Sequence, residues 1–257
     1  MNIANFKKFI AYHTFNPNNN LGKHLKYLKS QKVLITVDDG HLSFCKNAFP
    51  LLKQYQIPTF LFIIPSLINT EIPFWWDEVM YYLGNEKGSK ELQRLKLIPN
   101  QERLDYLEEL RDNSELPPLK QQQLTVAQLK EMQETGIMIA NHSFTHPMFD
   151  QCTEEELRDE LRKTKAFFEK YDLKGYEYFA YPNGNYNELA EKVLIEEGVK
   201  YAFLFNHQLN RGKVNPMRIS RLSVNDDTPL WKFRFILSGW HSKVLPLRKR
   251  LFRFLKR

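Results

Sequence analysis

The sequence predicts an α/β protein, a distorted (β/α) barrel of seven strands with a helical insertion, and three observations carry that expectation. First, Val33-Leu34-Ile35-Thr36-Val37 is a nearly unbroken apolar or β-branched run that stops at Asp38-Asp39-Gly40. A buried parallel strand reads this way, and its carboxyl end delivers two acids where α/β barrels carry their chemistry. Second, a helical stretch over 43–55 separates that run from another buried strand over 57–64, a βαβ unit whose right-handed crossover implies a parallel sheet. Third, after an interruption the alternation resumes and continues to about residue 224.

Taken in order, residues 3–15 mix Ile, Phe, Tyr and His and end in the polar loop Asn16-Pro17-Asn18-Asn19-Asn20. Leu21, Leu25 and Leu28 have helical spacing. In the helix over 43–55, Pro50 either kinks the helix or marks its start. Residues 71–124 break the rhythm. Phe74-Trp75-Trp76-Asp77 is an aromatic knot and 86–124 is charged and helical, so this stretch is expected as an insertion or lid beside the barrel. Trp75 and Trp76 either pack that insertion or stack on a sugar. Thr125 with Gln128 is a capping box opening a helix that Gly136 ends, and Ile137-Met138-Ile139-Ala140 is a strand ending at Asn141-His142. Thr153 with Glu156 caps a helix to about Tyr171, followed by a strand from Tyr176 to Tyr181 that ends at Pro182-Asn183-Gly184. A helix from Glu188, a strand from Tyr201 to Phe205 and a short strand from Arg218 to Val224 complete the pattern. The expected organisation is one barrel domain over 1–242, with the insertion at 71–124, and a basic amphipathic tail over 243–257.

The composition, 42% hydrophobic and 26% charged in 257 residues, is that of a globular protein long enough for a full core. Net charge is +7, yet the last fifteen residues alone hold seven Lys or Arg and no acid. The basic balance therefore describes a tail, and nucleic acid is not an expected partner. That tail interleaves its cations with Val, Leu and Phe after Trp240, a pattern suited to peripheral contact with an anionic membrane. Cys45 and Cys152 form no disulfide framework and read as free thiols. The first residues lack a signal-peptide core and no apolar run reaches spanning length, so the expected location is cytoplasmic, at the inner face of a membrane.

His142 and His146, four residues apart directly after a strand, can meet on one side of a turn or helix start and hold one cation. With the acids at Asp38-Asp39 they supply two imidazoles and a carboxylate and leave coordination positions open, as in a catalytic zinc or ferrous site. Thr36-Val37-Asp38-Asp39-Gly40 resembles the T-F-D-D-G motif of the polysaccharide deacetylases, the NodB-homology carbohydrate esterases, and Asn141-His142-Ser143-Phe144-Thr145-His146 is similar to their N-H-[ST]-x-x-H motif. Phe179-Ala180-Tyr181-Pro182-Asn183-Gly184 sits where that family has its third motif.

The resemblance, over about residues 30–225, implies a metal-dependent hydrolase that removes acetyl from an N-acetylated sugar of a polysaccharide or lipid-linked glycan. Asp39, His142 and His146 would hold a divalent metal, zinc first and Co, Fe, Ni or Mn next. Asp38 would be the general base and the backbone N–H of Asn183 an oxyanion donor, with Tyr181, Pro182, Trp75 and Trp76 touching substrate. Two departures matter. Ala180 stands where many members carry an Arg that orients the base, and the late L-x-H motif that supplies the acid has no obvious counterpart. His207 and His13 are candidate acids, with Asp226, Asp227 or Asp38 acting twice as others, and His41 is more readily a turn residue. The alternatives are a catalytically silent glycan binder on the same fold and an O-acetyl esterase.

Overall fold

A computed structural model describes residues 3–240. The strands are β1 (Lys8–Tyr12), β2 (Val33–Val37), β3 (Thr59–Ile63), β4 (Met138–Asn141), β5 (Gly175–Ala180), β6 (Tyr201–Phe203) and β7 (Leu222–Ser223). All pair in parallel in the order β6-β5-β4-β3-β2-β1-β7. Between and after them run α1 (Leu21–Leu28), α2 (Phe49–Tyr55), α3 (Trp75–Leu95), α4 (Asn100–Asp112), α5 (Val126–Glu134), α6 (Glu154–Lys170), α7 (Glu188–Glu196) and α8 (Leu230–Leu237).

β2 and β3 are buried on both faces, which is why they read as apolar runs rather than alternations. Successive side chains divide between two cores. Ile10, Val33, Ile35, Leu61 and Ile139 pack outward under the helices, while Phe9, Leu34, Phe60, Phe62, Phe203 and Ile219 fill the inside of the sheet's curl. Each such side chain contributes about 1.5–3 kcal/mol on burial. The curl is nearly shut by one short segment. Ile219 bridges Phe203 of β6, and three residues later Leu222 pairs with Ile10 of β1. The strand expected over 218–224 is thus split between two edges, and its regular part shrinks to two residues.

Pro50 marks a start. A π-helical turn over Phe44–Ala48 hands over to α2, where Pro50 occupies the first turn and lacks no hydrogen bond. The insertion is a pair of helices, α3 and α4, clustered on Trp75, Val79, Leu95 and Leu107, with Gly84 breaking α3 at φ 71°. Both expected capping boxes form, at Thr125–Gln128 and Thr153–Glu156. Cys45 and Cys152 are free. The tail reading at 243–257 falls outside the described residues. Among the described residues no helix is long and apolar enough to cross a membrane.

Candidate metal and catalytic site

The two acids after β2 point in different directions because the chain reverses its handedness between them. Asp38 still follows the strand, its N–H donating to the Tyr12 carbonyl at 3.0 Å. Asp39 and Gly40 both adopt positive φ, 71° and 69°. Asp tolerates that region at some strain, and a Cβ at Gly40 would meet Ile63 Cγ2 at 3.2 Å, so glycine suits the second position. The turn swings the Asp39 carboxylate to the far side of the strand end. There its Oδ1 lies 3.2 Å from His142 Nε2 and 3.5 Å from His146 Nε2.

The histidines come from a turn after β4, not a helix start. Ser143 and His146 have positive φ. Asn141 Oδ1 accepts from Ser143 N–H, an Asx turn, and Ser143 Oγ accepts from His146 N–H. From outside, Glu160 of α6 accepts from the N–H groups of Phe144 and Thr145 at 2.7 and 2.8 Å and from the Thr145 hydroxyl at 2.6 Å. Burial pushes the Glu160 carboxyl up, and these donors hold part of that rise back.

The tautomer of His142 follows from its partner. Nδ1 lies 2.8 Å from the Ala180 carbonyl, which can only accept, so Nδ1 carries the proton and Nε2 faces Asp39. A lone pair there and a carboxylate oxygen repel at 3.2 Å unless a proton or a cation lies between them. Burial lowers the His142 pKa, but the bond to Asp39, the charges of Asp38 and Asp39 and the bond to the Ala180 carbonyl together outweigh this, and the net shift is upward. Burial, with the charge of His142, takes His146 down to about 3, so its ring is neutral at neutral pH and has one nitrogen lone pair to offer a cation. Asp39 is driven well below the carboxylate range despite burial, because His142, His13 and His146 surround it. One carboxylate oxygen and two imidazole nitrogens within 4.8 Å of one another fit a divalent cation with open positions.

Asp38 is satisfied separately, by a residue that sequence reasoning missed. Arg221, fully buried on the closing segment, donates from Nη1 to Asp38 Oδ1 at 2.6 Å and from Nη2 to Oδ2 at 2.7 Å. Its Nε donates to the Leu204 carbonyl at 2.8 Å and Nη1 also to the Thr36 hydroxyl at 3.1 Å. Its guanidinium lies over Phe62 and Phe203, in the cluster that contains Ala180. Burial raises the Asp38 pKa, and Arg221's charge and hydrogen bonds reverse that to a net lowering.

His13 stands beside this pair. The β1–β2 register sets Tyr12 against Val37, so the next residues, His13 and Asp38, are neighbours, and Nε2 lies 3.8 Å from Asp38 Oδ2. His13, Asp38, Asp39, His142, His146 and Asn183 share a cavity of about 230 Å³, whose remaining wall comes largely from the insertion through Trp75, Trp76, Leu92 and Lys96. Trp76 meets the His146 ring edge-on at 4.8 Å. Asn183 turns at φ 56°, and its Oδ1 accepts from Lys96 Nζ at 3.1 Å. Gly184 follows at φ 77°, where a Cβ would come within 2.7 Å of the Phe205 backbone nitrogen. Burial lowers the Lys96 pKa.

Other expected residues lie apart. Tyr181 is fully buried against Phe179 and Tyr186, and neither it nor Pro182 lines the cavity, because the strand end turns its side chains into the α6–α7 core. His207 lies outside that lining, its Nδ1 accepting from Ser223 N–H. Asp226 holds the N–H and side-chain amide of Asn16, and Asp227 is exposed with its carbonyl accepting from Asn20. His41 accepts from Ser43 N–H and stacks on Phe74, as a turn residue would.

The polysaccharide deacetylase family model matches residues 26–202. The chain is similar to poly-beta-1,6-N-acetyl-D-glucosamine N-deacetylase of Staphylococcus aureus, 23% identical over 235 residues, which is 86% of this chain and 64% of the relative. A Bacillus subtilis protein described as a putative polysaccharide deacetylase is 25% identical over 65% of this chain and 43% of its own. This chain therefore spans less than two thirds of the length of these curated relatives. Two solved structures share the fold. The Streptococcus pyogenes deacetylase PplD in complex with acetate superposes with a TM-score of 0.60, at 16% identity over 84% of this chain and 91% of that one. IcaB from Ammonifex degensii gives 0.58 at 17% identity, over 87% and 93%.

Proposed function

The chain belongs to the polysaccharide deacetylase family, and from that premise we propose that it is a metal-dependent hydrolase removing acetyl from an N-acetylated sugar of a glycan. The carrying observation is the division of labour at the end of β2. Asp39 faces two histidine nitrogens, while Asp38, 2.6 Å from Arg221, is kept ionised outside that set. Likeness to N-deacetylases of poly-beta-1,6-N-acetyl-D-glucosamine supports an N-acetylglucosamine polymer as the substrate class.

Asp39, His142 and His146 would hold the cation, zinc first, and when bound it supplies Lewis-acid polarisation of the acetamide carbonyl and of the attacking water. Asp38 takes the proton of that water, and Arg221 fixes the carboxylate plane and its charge. His13 is the acid for the leaving amine, since it alone of the candidate acids outside the Asp pair lines the cavity. The Asn183 backbone N–H meets the developing oxyanion, its turn held in part by Lys96. Trp75, buried in the insertion with Arg103 over its ring, helps exclude water, and Trp76 offers ring surface to the sugar. The silent-binder alternative drew on the missing arginine at Ala180 and the missing late histidine motif; Arg221 on Asp38 and His13 in the cavity favour the catalytic reading over it.

Metal content of the purified protein and acetate release from N-acetylglucosamine oligomers test the proposal. About one divalent ion per chain is expected, lost in His142→Ala and His146→Ala. Asp38→Asn should keep the ion and lose roughly 10²–10⁴-fold in turnover. No ion after addition of zinc, cobalt or iron, or undiminished turnover in Asp38→Asn, would overturn it.

A further inference from the structure

Away from the cavity, α1 and α8 form one rigid platform. His24 of α1 stacks on Phe233 of α8 at 4.0 Å between ring centroids, with planes 6° apart. Between the helices lies an open groove of about 700 Å³ that carries Lys23, Lys26 and Arg234, and no carboxylate is among the residues lining it. Arg234 is held in place over the Tyr27 ring at 4.8 Å. Beside these cations α8 presents Trp231, 72% exposed, and Phe235, 40% exposed, four residues apart on one face, and Trp240 follows at 60%. Tryptophan is seldom left this open, and its amphipathic ring suits the boundary between water and lipid. From Lys243 onward the sequence adds seven Lys or Arg and seven Val, Leu or Phe with no acid.

From these features we infer that the α1–α8 face docks on the surface of an anionic lipid bilayer. Phosphate headgroups meet Lys23, Lys26 and Arg234, and the indole of Trp231 enters the headgroup layer beside them. A nucleic-acid duplex would satisfy the cations but keeps its bases stacked on one another, leaving Trp231 no apolar layer to enter. The inference is independent of the metal site and of the reaction assigned to it.

Cosedimentation of the full chain with vesicles tests it, comparing phosphatidylcholine alone with phosphatidylcholine containing about 30% phosphatidylglycerol. Binding to the anionic vesicles alone, lost at high salt, is expected. Each basic residue near such a surface contributes roughly fivefold to partitioning, so Lys23→Glu/Lys26→Glu should weaken binding at least tenfold, and Trp231→Ser should weaken it with the charges intact. Circular dichroism and the melting transition should be unchanged in these variants, showing that they fold. Equal binding to both vesicle types would overturn the inference. So would full binding by the charge-reversed and Trp231 variants, which would leave the segment after Trp240 acting alone. Displacement by inorganic phosphate, or tighter binding to duplex DNA than to vesicles, would overturn it in favour of a free-anion or nucleic-acid site.

Discussion

Asp38 is buried, and burial alone favours a neutral carboxyl; the two-pronged contact with Arg221 at 2.6 and 2.7 Å reverses that preference. His13 stands 3.8 Å from Asp38, but Arg221 has no other side-chain anion among its hydrogen-bond partners, so the halves of this buried ion pair depend on each other. Removing one half of such a pair costs about 3–5 kcal/mol. Arg221→Met should therefore lose that much in urea unfolding, and Asp38→Asn/Arg221→Met should recover part of the loss. Arg221→Lys keeps a charge but not the fork, so it should fold while the carboxyl of Asp38 rises. In the proposed reaction Asp38 works only when ionised, so the acid limb of kcat/KM should move to higher pH. An unmoved limb would leave Arg221 a purely structural role. The sequence signal for this residue was faint. The motif position at which the resemblance implies an orienting arginine holds Ala180, whereas Arg221 lies 183 residues from its partner. Alternation along 218–224 does put Arg221 on the same face as Ile219, the face that turns out to be the inner one. Asp39, His142 and His146 were legible because each pair of chemical residues sits within a few positions of a strand end.

At the scale of elements, α6 acts on the site without entering it. Glu160 ties down Phe144 and Thr145 between the two histidines, so the turn is shaped before any ion arrives. Glu160→Ala leaves all three ligands in place, yet metal affinity should fall about 10–100-fold, as for other groups that orient a ligand set. Competition with a chromophoric chelator would measure it, and an unchanged affinity would mean the Asx turn suffices. The α1–α8 contact gives a different expectation. His24 Nε2 donates to the Thr228 carbonyl at 2.7 Å, so Nδ1, 3.0 Å from the Tyr12 hydroxyl, is the acceptor and the ring is satisfied when neutral. Burial leads the causes that lower its pKa from the ordinary 6.5. A base with a lowered folded pKa binds fewer protons folded than unfolded just below 6.5. Its stabilisation is then complete above that pH and fades as pH falls toward the folded value. Unfolding free energy should drop between about pH 7 and pH 5, and less steeply in His24→Gln. Neither Glu160 nor His24 could be assigned from sequence, because a buried polar residue on a helix shows its partner only once the helix is placed.

For the whole molecule, the candidate site draws on the ends of β1, β2, β4 and β5 and on the closing segment, with the insertion as its outer wall. The alternation of apolar runs and helices was enough to foresee the curled parallel sheet. It could not foresee the closure, because a two-residue strand and a single bridge at Ile219 leave no periodic trace. Each ligand is held by protein groups alone: His142 by Ala180, the histidine turn by Glu160 and Asn141, and the Asp39 turn by its own backbone. Apart from Ala180, whose side chain packs in the inner core, these groups lie outside the hydrophobic cores, which account for the fold without a cation. A metal should therefore load a preformed site rather than drive folding. Chelator-treated protein should keep its circular dichroism and a cooperative melt. Free zinc at about a hundred times its Kd stabilises a folded state by about 2.7 kcal/mol, which for a chain of this size raises Tm by roughly 5–10 °C. The rise should vanish in His146→Ala. Collapse of the spectrum on chelation would mean instead that the Asp39 and His146 turns, both at positive φ, form only around the ion.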